Sequence, residues 1–223
     1  MKKALSMIIL FGCVNLTGSI CLGDVLNFAN AGFDDQVLSP GGYTSRDVSD
    51  WIGVGGDNGV WGVQYGNSGL PARSPNNWAY IANGDWGASG IGQLLMTGGS
   101  ALRAVAGGTI DINLYQGHRT DYMSGDTQQF EIQIWRDAIG TGTLAYNSGD
   151  LGNATPGEWI LRSISYTATG DDVGKDLYLC LYSPVSVQVQ LEDVSGSYTV
   201  PEPATMSLLA AGAVFGLIRR KQR

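Results

Sequence analysis

Aromatic side chains set in polar, glycine-rich surroundings are the residues of this chain that point most directly to a ligand. The sequence contains six tryptophans. An aromatic ring can pack against the C–H face of a pyranose while Asn, Asp and Gln side chains bond its hydroxyls. Burial in a core is the competing interpretation for each tryptophan taken singly, and it is preferred for Trp135 and Trp159, which fall in strand-like stretches. The predicted sugar-binding residues lie in or beside loop-like stretches: Trp61, Tyr65, Trp78, Trp86 and Tyr122.

Patterns that would identify an enzyme are sparse. The only histidine is His118, so no site with several histidine ligands exists and a Ser-His-Asp site would depend on this residue, which is predicted to lie on the surface. No G-x-S-x-G, H-E-x-x-H or phosphate-loop pattern occurs. Asp171, Asp172 and Asp176 do not have the spacing of an EF-hand loop and are interpreted as a solvated turn. Paired carboxylates for glycoside hydrolysis stay open, because their separation is invisible in a sequence.

The charge balance narrows the class of partner. The chain carries 13 basic and 20 acidic residues, and about seven basic and 19 acidic residues remain between positions 24 and 199, a net charge near −12. So acidic a surface repels phosphate backbones, and nucleic acid is therefore not a predicted partner. Cys180 is the only cysteine in that stretch, which excludes an internal disulfide there, and it is interpreted as a small buried hydrophobe.

The elements that must position these residues are strands. Apolar and polar residues alternate with a period of two at 109–114, 129–135 and 187–191, and residues 159–166 and 175–182 are further strand candidates. Clusters of glycine and asparagine separate these runs, and no sustained helical pattern accompanies them. This arrangement predicts an all-β, antiparallel sandwich or barrel.

The C-terminal segment, residues 200–223, has a different design. It begins with Pro201-Glu202-Pro203, and the two prolines favour an extended, accessible backbone. An uncharged apolar run follows at 206–218, and a helix of that length would measure about 20 Å, short for a hydrocarbon layer of roughly 30 Å. The basic cluster after this predicted transmembrane helix would hold its end on the cytoplasmic side.

This order of parts resembles the PEP-CTERM sorting signal of Gram-negative bacteria, in which Pro201-Glu202-Pro203 is the signature tripeptide. A plain C-terminal membrane anchor is the alternative interpretation. The resemblance implies export, cleavage near the tripeptide by an exosortase, attachment to the membrane only before that cleavage, and delivery to the cell surface or its exopolysaccharide matrix.

The N-terminal segment agrees with export. Lys2 and Lys3 precede an apolar stretch at 4–16, which predicts a signal peptide over residues 1–23. Small residues allow signal peptidase to cleave before Asp24 or before Leu22. The mature chain is then one domain of residues 24–199, and its glycine-rich part at 53–90 is predicted to contain long loops.

Several short motifs of the domain occur in an order that resembles the galactose-binding-like jelly roll of carbohydrate-binding modules, and within it the branch that includes secreted Stig cyclases. The resemblance implies a jelly-roll β-sandwich and covers most of residues 24–198. The motifs are Asn30-Ala31-Gly32-Phe33-Asp34, Trp51 with Gly59-Val60-Trp61, Asn77-Trp78-Ala79-Tyr80-Ile81, Gly90-Ile91-Gly92-Gln93-Leu94, Pro156-Gly157-Glu158-Trp159 and Leu191-Glu192-Asp193-Val194.

The resemblance also implies a structural calcium ion shared by the first and last strands. Asp34 and Glu192 occupy the matching acidic positions, with Asp193 beside them. Calcium takes six to eight oxygen ligands, so carboxylates brought from opposite ends of the domain are a plausible nucleus. The family pattern has Glu first and Asp last, whereas this chain has the reverse, and solvated strand-end acids are the alternative.

Two functions remain in competition. The preferred prediction is a non-catalytic module that binds carbohydrate or associates with exopolysaccharide. The alternative is a glycan-active or Stig-cyclase-like enzyme, for which the resemblance implies Asp193 or Glu192 as proton donor and Trp78 or Tyr80 as lining. An acid buried in an aromatic-lined cavity would favour catalysis. A shallow groove with exposed tryptophans would favour binding.

Overall fold

The computed structural model describes most of the domain between its two terminal segments. Predicted residues Tyr65, Trp86, Tyr122, Glu202 and Pro203 lie outside the described part, as do the predicted signal peptide apart from Gly23 and the apolar run at 206–218. Among the described residues, no helix is long and apolar enough to span a membrane. The described residues are 23–36, 38, 42–45, 47–62, 69–71, 73, 77–82, 88–121, 127–184 and 188–201, with backbone only for 57–62.

Strands account for nearly all regular structure in the described part of the chain, which confirms the all-β prediction. The one helical element there is a single 3₁₀ turn, Gly170–Asp172. The strands are β1 Asp24–Val25, β2 Ile52–Gly55, β3 Asp57–Gly62, β4 Asn77–Ala82, β5 Ser89–Leu94, β6 Met96–Thr97, β7 Ser100–Ala101, β8 Thr109–Gly117, β9 Glu131–Arg136, β10 Thr143–Asn147, β11 Trp159–Thr167, β12 Leu177–Ser183 and β13 Val189–Thr199.

In the described residues, two antiparallel sheets form the layers of a sandwich. We call the sheet with strand order β11-β8-β13-β4-β3 the front sheet, and β1 also pairs with its β13. The back sheet has the order β10-β9-β12-β5-β2, and β6 and β7 form a separate two-stranded ribbon. Sequence neighbours such as β4 and β5 lie in opposite sheets, so the chain crosses repeatedly between layers. This architecture confirms the predicted jelly-roll sandwich.

The core forms where the alternating apolar residues of the two sheets meet. Ile110, Ile112 and Leu114 of β8 face inward from the front sheet, and Ile132 and Ile134 of β9 face inward from the back sheet. All five are fully buried. Because successive strand residues point to opposite faces, the residues between them must point outward from the sandwich. Each sheet therefore has an outer face of its own.

Strand β13 is the element that gathers both ends of the domain. Its last residues pair with β1 at Asp24↔Tyr198, and its first residues pair with β4. A bulge between Glu192 and Ser195 interrupts β13 in between, and Asp193 there has φ 53°. The segment 26–34 fills the gap between β1 and β4, with Val194 N donating to Ala31 O at 3.0 Å. The bulge thus brings the turn at 30–34 beside Asp193.

In the acidic turn after β11, Asp171 is exposed as expected, but Asp172 is buried, so its interpretation as a solvated residue was wrong. Asp172 is fully buried and accepts hydrogen bonds from Arg136 Nε at 2.6 Å and Tyr166 Oη at 2.7 Å. Burial alone would raise the pKa of Asp172, but the hydrogen bonds from Tyr166, Arg136 and Thr169 outweigh it and the pKa is lowered. Burial and then the bond to Asp172 raise the pKa of Tyr166 to about 12. The cluster joins β11 of the front sheet to β9 of the back sheet.

Candidate functional site

The outer face of the front sheet gathers aromatic and polar side chains from four adjacent strands. The register places Gln190 opposite Tyr80 and Gly117, Glu192 opposite Tyr115, and Trp159 opposite Gly117. These outward positions therefore form one continuous surface. We call it the front face and define it by Trp78, Tyr80, Tyr115, Trp159, Gln190 and Glu192.

Most of the front face is buried even though it lies outside the main core. Trp78 and Glu192 are 0 % exposed and Gln190 is 1 % exposed. Trp78 and Tyr80 form a second, smaller apolar cluster, against which Trp159 packs. The rings of Trp78 and Trp159 meet edge to face, with centroids 6.2 Å apart and an interplanar angle of 72°. Outward residues this buried must be covered by other parts of the chain.

Two described segments, residues 42–45 and 69–71, lie over the front face and accept hydrogen bonds from it. Tyr80 Oη donates to Thr44 O at 2.8 Å, and Trp159 Nε1 donates to Pro71 O at 2.7 Å. A Cβ at Gly117 would stand 2.7 Å from Cδ2 of Leu70 and 2.8 Å from the Trp159 ring. Glycine at 117 therefore lets the covering segment approach the sheet closely.

Polar atoms of Trp78 and Gln190 on this face lack partners within the described protein. Neither Nε1 of Trp78 nor Oε1 of Gln190 has a hydrogen bond, although both side chains are buried. A buried polar group without a partner costs roughly 1–3 kcal/mol. A ligand that offers an acceptor to Trp78 and a donor to Gln190 would recover that free energy.

A buried network of amides holds Gln190 in its orientation. Gln190 Nε2 donates to Gln188 Oε1 at 2.8 Å, and Arg119 Nη1 donates to the same oxygen at 3.0 Å. Gln128 Nε2 donates to the Gln188 carbonyl at 2.8 Å, and Arg119 is also paired with Asp121. With its Nε2 fixed on Gln188, Gln190 must direct Oε1 elsewhere, because buried networks of this kind leave side chains few alternatives.

His118 belongs to the same buried region, and its predicted surface position was wrong. Its side chain is 1 % exposed, and Nδ1 lies 3.0 Å from Ala154 O. The loop before β11 lies against its backbone, with Gly157 N donating to His118 O at 2.7 Å. His118 is therefore a packed structural residue in the described fold.

The structure brings together two of the three predicted metal ligands. Asp34 Oδ2 and Asp193 Oδ1 lie 3.4 and 3.9 Å from the point where a Cβ on Gly32 would stand. Asp34 Oδ1 accepts the Asn77 backbone N–H at 3.0 Å. Glu192 points instead toward the front face, and no three His, Cys, Asp or Glu side chains of the described residues are arranged to hold a metal ion.

Arg73 connects this acidic pair with the front face. Its Nη2 lies 3.3 Å from Asp193 Oδ2, and its guanidinium stands over the Tyr115 ring, 3.3 Å from the centroid. The Asp193 side chain is 46 % exposed, whereas Glu192 next to it is fully buried. The two acids implied by the resemblance therefore occupy very different environments.

Of the five predicted sugar-binding aromatics, Trp78 is the one whose side chain is described. It lies in β4 rather than in a loop, and it is enclosed rather than exposed. The backbone of Trp61 in β3 pairs with that of Trp78 in β4, and the Trp61 side chain is not among the described parts of the structure. Sequence reasoning missed Gln190, whose strand was recognised by its alternation. No signal in that strand indicates that its outward face is covered.

Comparison with known proteins finds a sorting motif in this chain and solved structures with a similar fold. Residues 199–222 match the family model of the PEP-CTERM protein-sorting motif, which implies an exported protein processed by an exosortase at the cell envelope. A Stig cyclase from Fischerella sp. TAU, solved in complex with (3Z)-3-(1-methyl-2-pyrrolidinylidene)-3H-indole, has a TM-score of 0.66 at 16% identity, with coverage of 80% of this chain and 98% of that chain.

Two further solved structures are similar to this chain. An apo form cyclase from Fischerella sp. has a TM-score of 0.64 at 17% identity, covering 80% of this chain and 98% of that one. The CBM22-1 xylan-binding domain from Paenibacillus barcinonensis has a TM-score of 0.49 at 14% identity, covering 80% and 97%. No curated protein sequence matches the chain. At these identities the cyclase likeness shows the jelly-roll fold alone.

Proposed function

We propose that this chain is an exosortase-sorted protein of the surface or extracellular matrix of a Gram-negative bacterium, and that its domain is a non-catalytic module that binds polysaccharide. The match over residues 199–222 supports the sorting step. Removal of residues 201–223 tests it by cell fractionation. The shortened protein should lose its normal processing and location, and an unchanged distribution would contradict the proposal.

The observation that carries the binding function is the pair of unpartnered atoms on the front face. A sugar hydroxyl can accept from Nε1 of Trp78 and another can donate to Oε1 of Gln190. The C–H face of the sugar ring packs on aromatic carbon at the same time. Trp78 and Gln190 are buried rather than exposed in a shallow groove, which is the arrangement expected of catalysis rather than of open binding. Binding at this enclosed face is therefore proposed for a single sugar unit or a chain end and not for the flank of a long polymer.

The position of the front face in the domain also suits this role. Gln190 lies nine residues from Thr199 in β13, which corresponds to about 30 Å along the strand. Gly23 and Pro201 both lie at the Thr199 end, close to Thr199 and Gly107 respectively. A protein held at that end would present the front-face residues away from its attachment.

Acid catalysis is the second candidate, and the burial of Glu192 favours it. A carboxylic acid that donates a proton near neutral pH must be removed from water, and Glu192 is fully buried beside Tyr115, whereas Asp193 is half exposed. The structural likeness to cyclases solved with indole compounds suggests the reaction class of this candidate, a cyclisation.

A glycan array that includes the organism's own exopolysaccharide tests the two candidates together. For the module, Trp78→Phe and Gln190→Leu should each weaken binding about three- to tenfold, since each removes one hydrogen bond to the ligand. Glu192→Gln keeps the shape of the side chain and should leave binding within about twofold. Loss of binding in Glu192→Gln alone, or turnover of an indole substrate that this variant abolishes, would favour the enzyme.

For a metal, we propose calcium at Asp34 and Asp193. Their carboxylates approach one point beside Gly32, and both are hard oxygen ligands of the type calcium takes. Glu192, the third ligand expected, lies on the front face, so backbone carbonyls or water would have to complete the shell. Arg73 pairs with Asp193 and would compete with the ion.

A further inference from the structure

The outer face of the back sheet is a second surface rich in aromatic and polar groups, and sequence reasoning assigned it no role. Glu131, Gln133 and Trp135 project outward from β9, opposite Tyr182, Cys180 and Tyr178 of β12. Gly90 and Gly92 of β5 lie next to Tyr182 and Cys180. We call this the back face and define it by Glu131, Gln133, Trp135, Tyr178 and Tyr182. Its three aromatic side chains are half-buried rather than enclosed.

The polar groups of the back face hold one another in place. Trp135 Nε1 donates to Gln133 Oε1, Gln133 Nε2 donates to Glu131 Oε2, and Asn147 Nδ2 donates to the same carboxylate oxygen, each at 2.8 Å. This chain of bonds fixes the indole plane and the carboxylate. The network is therefore formed before any ligand arrives, which lowers the entropy lost on binding.

Several hydrogen-bonding atoms remain available on this prearranged surface. No described residue donates to Glu131 Oε1, and the hydroxyls of Tyr178 and Tyr182 have no partner in the described protein. The two tyrosines are four residues apart in β12, or about 13 Å. A ligand lying along the strand can therefore meet a ring at each end and a carboxylate oxygen beside the second ring.

Between the two tyrosines the strands carry small, buried residues. Cys180 is fully buried there, and a Cβ on Gly90 would stand 2.8 Å from Leu181 O and 3.2 Å from the Tyr182 ring. A Cβ on Gly92 would collide with Cδ1 of Ile139, which lies over that glycine. These small residues are themselves buried, so Ile139 and neighbouring side chains make a closed apolar floor between the two tyrosine rings.

Charge and topology select the kind of occupant. Glu131 is the one charged member of the back face, and the excess of acidic residues in the whole domain adds to its repulsion of anions. Neutral hydroxyl groups are suitable donors to its carboxylate. Strands β9 and β12 each have neighbours on both sides, so their backbones offer no free edge for an added peptide strand.

We propose that the back face binds a neutral polysaccharide chain along β12, independently of the front face. The inference rests on the proposed function only in taking carbohydrate as the ligand class. Because the two faces lie on opposite sides of one sandwich, a domain that uses both can hold two polysaccharide chains at once. Such a protein would cross-link a matrix and would gain avidity from two sites of moderate affinity.

The test uses the full-length chain in detergent, with neutral xylan and β-glucan as probes and anionic alginate as control, in affinity gel electrophoresis. Trp135→Ala and Tyr182→Ala should each weaken retardation by a neutral polymer about tenfold, as expected for loss of a stacking ring and its contact area. Glu131→Gln should weaken it less, and alginate should retard no variant. Circular dichroism and thermal melts confirm that each variant is folded.

Separate outcomes distinguish this proposal from the front-face function. If Trp78→Phe and Gln190→Leu reduce retardation while both back-face variants leave it unchanged, the back-face site is wrong and the front-face function stands. If only the back-face variants act, the front-face function is wrong. The wild type should also raise the turbidity of polymer solutions, and Trp135→Ala should abolish that effect. A doubled mass in light scattering that Trp135→Ala returns to the monomer would overturn the proposal in favour of self-association.

Discussion

The two outer faces of the sandwich are built from the same alternating strand pattern, but they differ in how far their residues are buried. On the front face, Gln190 and Glu192 alternate outward from β13 and are buried beneath covering segments. On the back face, Glu131 and Trp135 alternate outward from β9 and are only half-buried. Alternation therefore decides which residues leave the core, while the loops decide whether those residues meet water or protein.

The state of the polar atoms differs accordingly. The back face pairs its amide groups with one another and with one oxygen of the Glu131 carboxylate, through a chain of bonds from Trp135 to Asn147. The front face leaves Trp78 Nε1 and Gln190 Oε1 unpartnered in a buried setting. An enclosed site gains specificity from such atoms, because only a ligand of matching chemistry can pair with them. An open site gains its binding energy from ring area.

Matched truncations of the two tryptophans should give the largest contrast between the faces. Trp78→Ala removes a fully buried ring and should lower the free energy of unfolding by about 3–5 kcal/mol. Trp135→Ala removes a half-exposed ring and should cost about 1 kcal/mol, as is usual for a partly exposed site. Urea denaturation monitored by circular dichroism measures both. Equal losses would mean that the two faces are covered alike.

Asp172 tests whether the two faces belong to one cooperative unit. Asp172→Asn removes a buried carboxylate from Arg136 and Tyr166 and should cost about 3 kcal/mol at neutral pH, since the partners stay buried. The lowered pKa of Asp172 stabilises the fold above the unfolded value near 4, and this contribution disappears as the pH falls through the folded value. The difference between wild type and variant should therefore shrink below about pH 4.

The readout for that comparison is ligand binding at each face during acid titration. Both faces should lose binding together, because the Asp172 cluster ties β11 of the front sheet to β9 of the back sheet. Loss of one face well before the other would show that the sheets come apart separately.

Calcium removal should affect the front face more than the back face. Asp34 and Asp193 lie next to Arg73, which stands over Tyr115 on the front face. An ion present at a hundred times its Kd would stabilise the fold by about 2.7 kcal/mol, so chelator should lower the Tm of the wild type and leave Asp34→Asn unchanged. Binding of short oligosaccharides to the front face should weaken with it. A wild-type melt insensitive to both chelator and added calcium would remove the calcium proposal.

Cys180 should give the smallest effect and reports on the floor of the back face. Burial, with the nearby negative charge of Glu131, raises the pKa of the Cys180 thiol to about 12. The native protein should therefore react with a thiol reagent only after unfolding in urea. Ile139→Ala, which thins the cover near Gly92, should speed the native reaction by a few fold. Rapid labelling of the folded wild type would contradict a closed floor.

Sequence alone determined the parts of this protein that depend on local patterns. The alternation at 109–114 predicted β8 with Ile110, Ile112 and Leu114 on one face, and these residues lie in the core. The burial of Cys180 followed from the apolar strand around it. The sorting motif is likewise a contiguous string, and it matches a family model over residues 199–222. Each of these signals is complete within a short stretch of chain.

Tertiary structure decided what lies over each outward face. Gln190 and Glu131 have similar surroundings in sequence, yet Gln190 is enclosed because the chain returns over the front sheet, with Thr44 bonded to Tyr80. His118 and Asp172 were expected at the surface and are buried for the same reason, since their covering partners Ala154 and Arg136 lie 36 residues away in sequence. Strand periodicity is set by neighbouring residues, whereas the cover over a face comes from distant segments that only the folded chain brings together.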